Sequence, residues 1–232
     1  MSLLSLIQRT ADIAGLARPS SVASSTDATA RQLAAYAQME GDSLARRYPW
    51  RQLLIRGTIT GDGTSETFTL PNDFHQFVSG TPVWRDGEPM RAVNGPTTDE
   101  DWLFYTAGNF PFAFNIWRLN GNDIQIYPTL DDGDGLVLEY QSAYWILDAD
   151  GTTRKAAWEA DTDYCAIPER LISIGTAVRW KKLKGLAYQD LAAEYEAELV
   201  REFAANRGTG RIRMSEGPTF VSRRRTDIKV TV

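Results

Sequence analysis

One cysteine, Cys165, and one histidine, His75, stand in a chain of 232 residues. A single thiol excludes an intrachain disulfide and a cysteine-rich zinc site, and it suits folding in a reducing compartment. No run of about 18 apolar residues occurs, so no transmembrane helix is expected. The start, MSLLSLIQRTADIAGLARP, has no basic leader before its apolar part and is interrupted by Arg9 and Asp12. It reads as a helix and not as a signal peptide. A GxSxG elbow, a Walker loop and a dinucleotide glycine fingerprint are all missing. His75 therefore has no nucleophile motif to serve, and a hydrogen-bonded or solvated histidine is the expectation. The 30 acidic residues offer many carboxylate pairs, but sequence spacing selects none of them for glycoside chemistry. Counting from Asp148, Asp150 and Glu159 fall at positions three and twelve of a calcium loop. Thr153, however, stands where such a loop needs glycine. Polar turns, no metal, no cofactor and no enzyme activity are expected.

What is present is apolar material and unevenly placed charge. Hydrophobic residues make up 43% of the chain, enough for one sizeable core or two small ones. The formal net charge is −5. Residues 1–56 carry seven basic and four acidic residues, and residues 57–165 carry five and eighteen. Residues 166–207 carry seven and six, and residues 208–232 carry six and two. An acidic middle thus lies between basic ends. Acidic surface repels nucleic acid, so the asymmetry suits contacts with differently charged protein neighbours.

Hydrophobic rhythm divides the chain. Leu3, Leu4, Leu6 and Ile7 open a first helix, which Gly15 and Pro19 end. Ser25 or Thr26 is the expected cap of a second helix, with Asp27 in its first turn. Leu33, Ala37, Leu44 and Tyr48 lie on one face of it, and Pro49 stops it. From Leu53 the period changes to two. RGTITGDGTSETFTLP reads as a hairpin turning at Gly61-Asp62-Gly63, and Asp86-Gly87 and Asn120-Gly121 mark further turns. TTDEDWLFYTAG reads as a short helix within this region of about six strands. Helices return at Ile167, with Pro168 in the first turn. Ile167, Leu171, Ile174 and Val178 form one apolar stripe. Tyr188, Leu191, Tyr195, Leu199 and Phe203 form another, ending near Asn206 and Gly208. The expected class is α+β. Residues 1–56 and 166–208 make a helical bundle, residues 57–165 an inserted antiparallel β domain, and residues 209–232 an extended C-terminal arm. That arm lacks helical rhythm, carries Arg223-Arg224-Arg225, and alternates Ile228, Val230 and Val232 in a pattern suited to strand addition on another chain.

Three short motifs carry a resemblance. Pro-Ser-Ser-Val at 19–22 precedes the second helix, Tyr48-Pro49-Trp50 stops it, and Leu70-Pro71-x-Asp73-Phe74 follows the first strands. Together, over residues 16–78 or so, the chain resembles the head-to-tail adaptor (connector, or tail accessory) proteins of tailed bacteriophages. The resemblance implies a virion structural protein of the neck, assembled in the host cytoplasm. It implies a ring of identical subunits, usually twelve, beneath the portal protein. Packaged DNA would pass through the channel without sequence-specific binding, and a downstream tail or nozzle protein would dock below. No membrane is involved, and the family supplies no catalytic residues. The arm then becomes the expected grip on the portal or a neighbouring subunit, through Arg211, Ile212, Arg213, Phe220, Val221, Arg223, Arg224, Arg225, Ile228 and Val230. Alternative readings are another tail or baseplate component, a carboxylate-dependent cell-wall hydrolase, or a sugar-binding module built on the acidic β region.

Overall fold

The computed structural model describes residues 2–78, 83–87, 92–108 and 115–207. The order is α1 (Leu3–Ala14), α2 (Ala28–Arg47), β1 (Leu54–Thr60), β2 (Thr67–Thr69), β3 (Phe74–Phe77), β4 (Val83–Arg85), β5 (Ala92–Val93) and α3 (Asp99–Ala107). Then come β6 (Ile116–Asn120), β7 (Asp123–Tyr127), β8 (Gly135–Ser142), β9 (Ile146–Leu147), β10 (Arg154–Lys155), β11 (Tyr164–Cys165), α4 (Glu169–Leu183) and α5 (Gln189–Arg207). The class is α+β.

The helices begin and end on local chemistry. Ser2 caps α1, and Gly15 closes it at φ 74, where a side chain would strain the backbone. Asp27 itself caps α2, accepting from the Thr29 and Ala30 amides at 3.3 and 3.1 Å. The expected cap at Ser25 or Thr26 is therefore displaced by one or two residues. Asp27 wins because a carboxylate offers two acceptors to the orphan amides and favours the positive end of the helix dipole. Pro168 sits one residue before α4 instead of inside it. α4 packs against α1, α2 and α5, and α1 packs against α2. Leu6, Ile7, Leu33, Leu44, Leu171, Ile172 and Leu199 meet in one apolar cluster with Trp50 and Leu53.

A second cluster gathers Ile59, Leu70, Trp117, Ile124, Ile126, Leu136, Leu138 and Tyr140 between the sheets. The spine is β8, whose Leu136, Leu138 and Tyr140 point inward in period two. β1 pairs with it antiparallel from Leu54↔Gln141 to Thr60↔Gly135. β3 and β4 also pair with β8, and β5 extends β4. A second sheet runs β2-β7-β6 and a third β10-β9-β11. Asn120-Gly121 makes the β6–β7 hairpin as expected, with Gly121 at φ 64. Gly61-Asp62-Gly63 does not join a hairpin. β1 leaves for β8 and β2 for β7, while the Asp62 carboxylate accepts from the Thr64 and Ser65 amides at 2.9 and 2.6 Å. That cap turns the chain from one sheet into the other.

Trp145 and Ile146 belong to the first cluster, and Trp158 and Cys165 pack against it. The last part of the range expected as an insertion thus packs with the helices. We propose that the helices and residues 138–165 fold without the remainder. Gly57 and Leu138 are directly paired across β1 and β8. Replacing residues 58–137 by Asn-Gly should leave a soluble helical protein with a cooperative melt. A non-cooperative melt by circular dichroism would reject the division.

Candidate interaction surfaces

The ten residues expected to grip a partner, from Arg211 to Val230, lie outside the described residues. The described chain ends with α5, close to one of the three motifs. Phe203, near the end of α5, stacks on Tyr48 with ring centroids 4.3 Å apart, and its edge meets Trp50 at 5.4 Å. Trp50 is fully buried and donates its indole N–H to the Leu44 carbonyl at 2.8 Å. Asn206 adds polar contacts to the Pro49 carbonyl and the Arg51 amide, both at 3.4 Å. Tyr48-Pro49-Trp50 therefore does more than stop α2. It ties the ends of α2 and α5 together.

The other two motifs are joints as well. Val22 is buried, and the Val22 and Ala23 amides donate to the Asp161 carboxylate at 3.0 and 2.7 Å. The Pro71 carbonyl accepts from the Phe74 amide at 2.9 Å, while Asp73 accepts from the Tyr140 hydroxyl at 2.9 Å. That turn is thereby pinned to β8. Sequence reading found these motifs but not their partners, which lie far along the chain.

Beside the Asp161 joint lies Asp163, whose side chain is wholly buried. It accepts from the Glu159 and Ala160 amides at 2.8 and 2.9 Å and from the Lys155 ammonium at 3.1 Å. Lys155 also meets Asp148 and Glu159, at 3.2 and 3.1 Å. Burial pushes the Asp163 pKa up, but the two amides and the lysine outweigh it and hold it below the ordinary value. A depressed carboxylate stabilises the fold above its unfolded pKa of about 4, and that stability is lost as pH falls through the folded value. Asp163→Asn should therefore melt well below wild type at pH 7. The gap should close toward pH 3, as thermal melts at the two pH values will show.

A groove of about 580 Å³ lies between α2, α4 and α5. Glu40 is buried at its floor and accepts hydrogen bonds from the Arg179 guanidinium and the Tyr195 hydroxyl. Gly175 makes the room: a Cβ there would stand 2.6 Å from Glu40 Oε1. Burial and the neighbouring Glu40 charge push the Tyr195 phenol up, so it stays a neutral donor. The three residues join three helices through one carboxylate. Met39 and Leu183 line the groove and are exposed, and Lys182 lies beside them. A buried acid on the apolar face of α2 was visible in the sequence, four residues before Leu44, but nothing there revealed its partners.

His75, Cys165, Asp150 and Glu159, the residues weighed for chemistry, all lie within the described part of the chain. His75 is half-buried in β3, where burial and then Arg46 lower its pKa, so it is neutral at pH 7. Burial, and then Glu169, push the Cys165 thiol up to about 12, far from the thiolate a nucleophile needs. Asp150 accepts from the Thr152 and Thr153 amides at 2.8 and 2.9 Å, and Glu159 is taken by Lys155. The Asp150 carboxylate thus closes its own turn. Among the described residues no group of His, Cys, Asp and Glu is arranged to hold a metal, and no helix is long and apolar enough to cross a membrane.

No curated protein matches the chain. The SU10 adaptor protein family matches residues 1–222. That span includes all three joints and both apolar clusters, and it ends just before Arg223-Arg224-Arg225. The chain belongs to the SU10 adaptor protein family, and it is a structural protein of a phage.

Proposed function

We propose that the protein is the head-to-tail adaptor of its virus: a ring of identical subunits, twelve in number, bound beneath the portal. The ring continues the DNA channel and offers a platform to the next tail or nozzle protein. The family match over residues 1–222 carries this reading. The charge pattern supports it, because an acidic middle and basic ends suit contacts between unlike neighbours. The C-terminal arm, through the residues from Arg211 to Val230 named above, attaches the ring to the portal. The joint of Phe203, Tyr48 and Asn206 gives each arm a defined root, so a ring presents its arms at high local concentration to a symmetric partner.

Native mass spectrometry and negative-stain microscopy of the purified chain with its portal test the proposal. A twelve-subunit ring on one face of the portal is the expected result. A chain that stays monomeric beside intact portal rejects it.

A further inference from the structure

β1 is an edge strand. β8 pairs along one side of it in unbroken register, from Leu54↔Gln141 to Thr60↔Gly135. The Gly61 amide carries that pairing one step further, donating to the Asp134 carbonyl at 2.7 Å. Period two then turns the backbone of Arg56, Thr58 and Thr60 away from β8. Their outward amides and carbonyls meet no partner among the described residues, and their side chains are exposed. The other edges of the two larger sheets are short, bulged or covered, among the described residues. β2 has three residues and β5 has two. β3 is bulged, and Asn94 and Thr97 bond along the outer side of β6. A long, regular, open edge is a template for one more strand.

Charge and side-chain size mark what fits there. The Thr60 end of the edge is acidic. The turn at 131–134 stands against it, with the Gly133 amide donating to the Gly61 carbonyl at 3.1 Å. Asp62 and Asp134 are engaged by Ser65 and Arg85, but Asp131 and Asp132 are exposed and make no ion pair among the described residues. The Leu54 end is basic. Arg56 lies on the edge itself, and Arg154 reaches the Gln52 carbonyl at 2.7 Å. On the core side Ile55 and Ile59 flank Gly57, which leaves a gap between them. A fitting strand needs large apolar residues at alternate positions and, if antiparallel, cations just ahead of them. Residues 226–232 have that pattern. Ile228, Val230 and Val232 alternate, and Arg223, Arg224 and Arg225 come just before.

We propose that residues 226–232 of one copy add to the open edge of β1 in the next copy as an antiparallel strand. Ile228 then lies beside Ile59, Val230 fills the gap at Gly57, and Val232 lies beside Ile55. Lys229 meets Thr58 on the solvent side. Arg225 comes opposite Asp62, and Arg223 and Arg224 reach toward Asp131 and Asp132. Parallel entry would carry the arginines toward Arg56 instead. Direction also selects the next copy over the same one. α5 ends at the basic end of β1, where Asn206 accepts from the Arg51 amide at 3.4 Å, so a segment folding back on its own copy meets that end first. The eighteen residues 208–225 span up to about 60 Å, enough to reach the acidic end of a neighbour. The inference rests on the ring reading. It gives the tip of the segment to the neighbouring copy and leaves residues 211–221 to the portal. An edge and a different strand make a head-to-tail contact, which repeats from copy to copy and closes into a ring when the rotation allows.

Disulfide trapping tests this on the full chain assembled with its portal. The native Cys165 gives a quiet background, because burial keeps its thiol protonated. The double variant T58C/K229C, mildly oxidised, should run as a ladder of covalent multimers on a non-reducing gel. A mixture of the two single variants should stop at dimers. T58C/T219C should stay monomeric, and an equal ladder from it would mean chance collision and overturn the proposal. Adding D131R/D132R to T58C/K229C should abolish the ladder, and adding R223D/R224D/R225D to that chain should restore it. A ladder indifferent to these charges overturns the antiparallel placement. A link closed within one copy, seen as a monomer of altered mobility, returns the segment to its own chain and overturns the proposal. Dimers of Thr58→Cys alone would mean edge facing edge and would overturn it too. Rings seen by microscopy without any ladder leave the ring reading standing and sink this interface. No ring from the wild-type chain sinks both.

Discussion

Gly41→Ala is expected to destabilise the protein by about 3 kcal/mol, roughly 6–12 °C in melting temperature. The sign is the informative part. At an exposed helical site the same change would stabilise by up to about 1 kcal/mol, because alanine is the better helix former. Gly41 lies in the buried face of α2, and a Cβ there would come within 2.1 Å of the Trp145 ring. That ring cannot step aside. It is fully buried, its N–H donates to Asp42 Oδ1 at 2.8 Å, and Trp158 meets it edge-on at 5.2 Å. One extra methyl group must displace α2 or eject an indole. Thermal melts of Gly41→Ala decide the point, and a raised melting temperature would show that the notch is not filled by Trp145. In a Trp145→Leu background the same substitution should cost far less, a coupling that a propensity effect would not show.

Truncation after Gly208 is expected to abolish attachment to the portal while leaving the monomer's melting temperature nearly unchanged. The last anchors of α5 to the helices are Phe203 and Asn206, and both remain in the shortened chain. What is lost is a segment with Ile212, Met214, Phe220, Val221, Ile228 and Val230. Each fully buried large apolar side chain contributes roughly 1.5–3 kcal/mol to a contact before ordering costs. Several such side chains outweigh the ordering of the arm, and none of them is replaced elsewhere. Replacing Arg223, Arg224 and Arg225 by alanine should weaken attachment less, and the difference should shrink at high salt, where charge steering is already screened. Co-sedimentation with portal and a melting curve read the two effects separately. Truncated protein that still binds the portal with unchanged affinity would remove the arm from the account.

The helices were legible in the sequence because their signals are local. Leu33, Ala37 and Leu44 are all buried on one face of α2, and Leu171 and Ile174 on one face of α4. The same holds for the β6–β7 hairpin, whose turn residues lie between the strands they join. Pairing at long range was not legible. β1 and β8 lie some eighty residues apart, and period two says that a strand exists without saying which strand it meets. The Gly61-Asp62-Gly63 turn misled for that reason, since its composition suits any sharp turn. The groove was hidden too. Glu40, Arg179 and Tyr195 stand on three helices, and Gly175 reads in sequence as a weak point of α4 instead of as space for a carboxylate. The family motifs were visible as words, but their work as joints depends on Asp161, Tyr140 and Phe203.

The ribbon of β1 and β8 has a mechanical consequence. The chain leaves the helices through one strand and returns through its direct neighbour, paired over seven residues. Gln141 fastens the returning strand by donating to the Ala45 and Tyr48 carbonyls at 2.6 and 2.9 Å, and Arg154 holds the Gln52 carbonyl at 2.7 Å. Tension along the ribbon loads both strands alike, so it passes to the end of α2 without sliding one strand past the other. Tension that drew Leu54 away from Gln141 would instead open the pairs one after another, starting at the fastened end. A pull on the tip of the sheets is thus resisted by covalent backbone, and only a wedge at the root can unzip them.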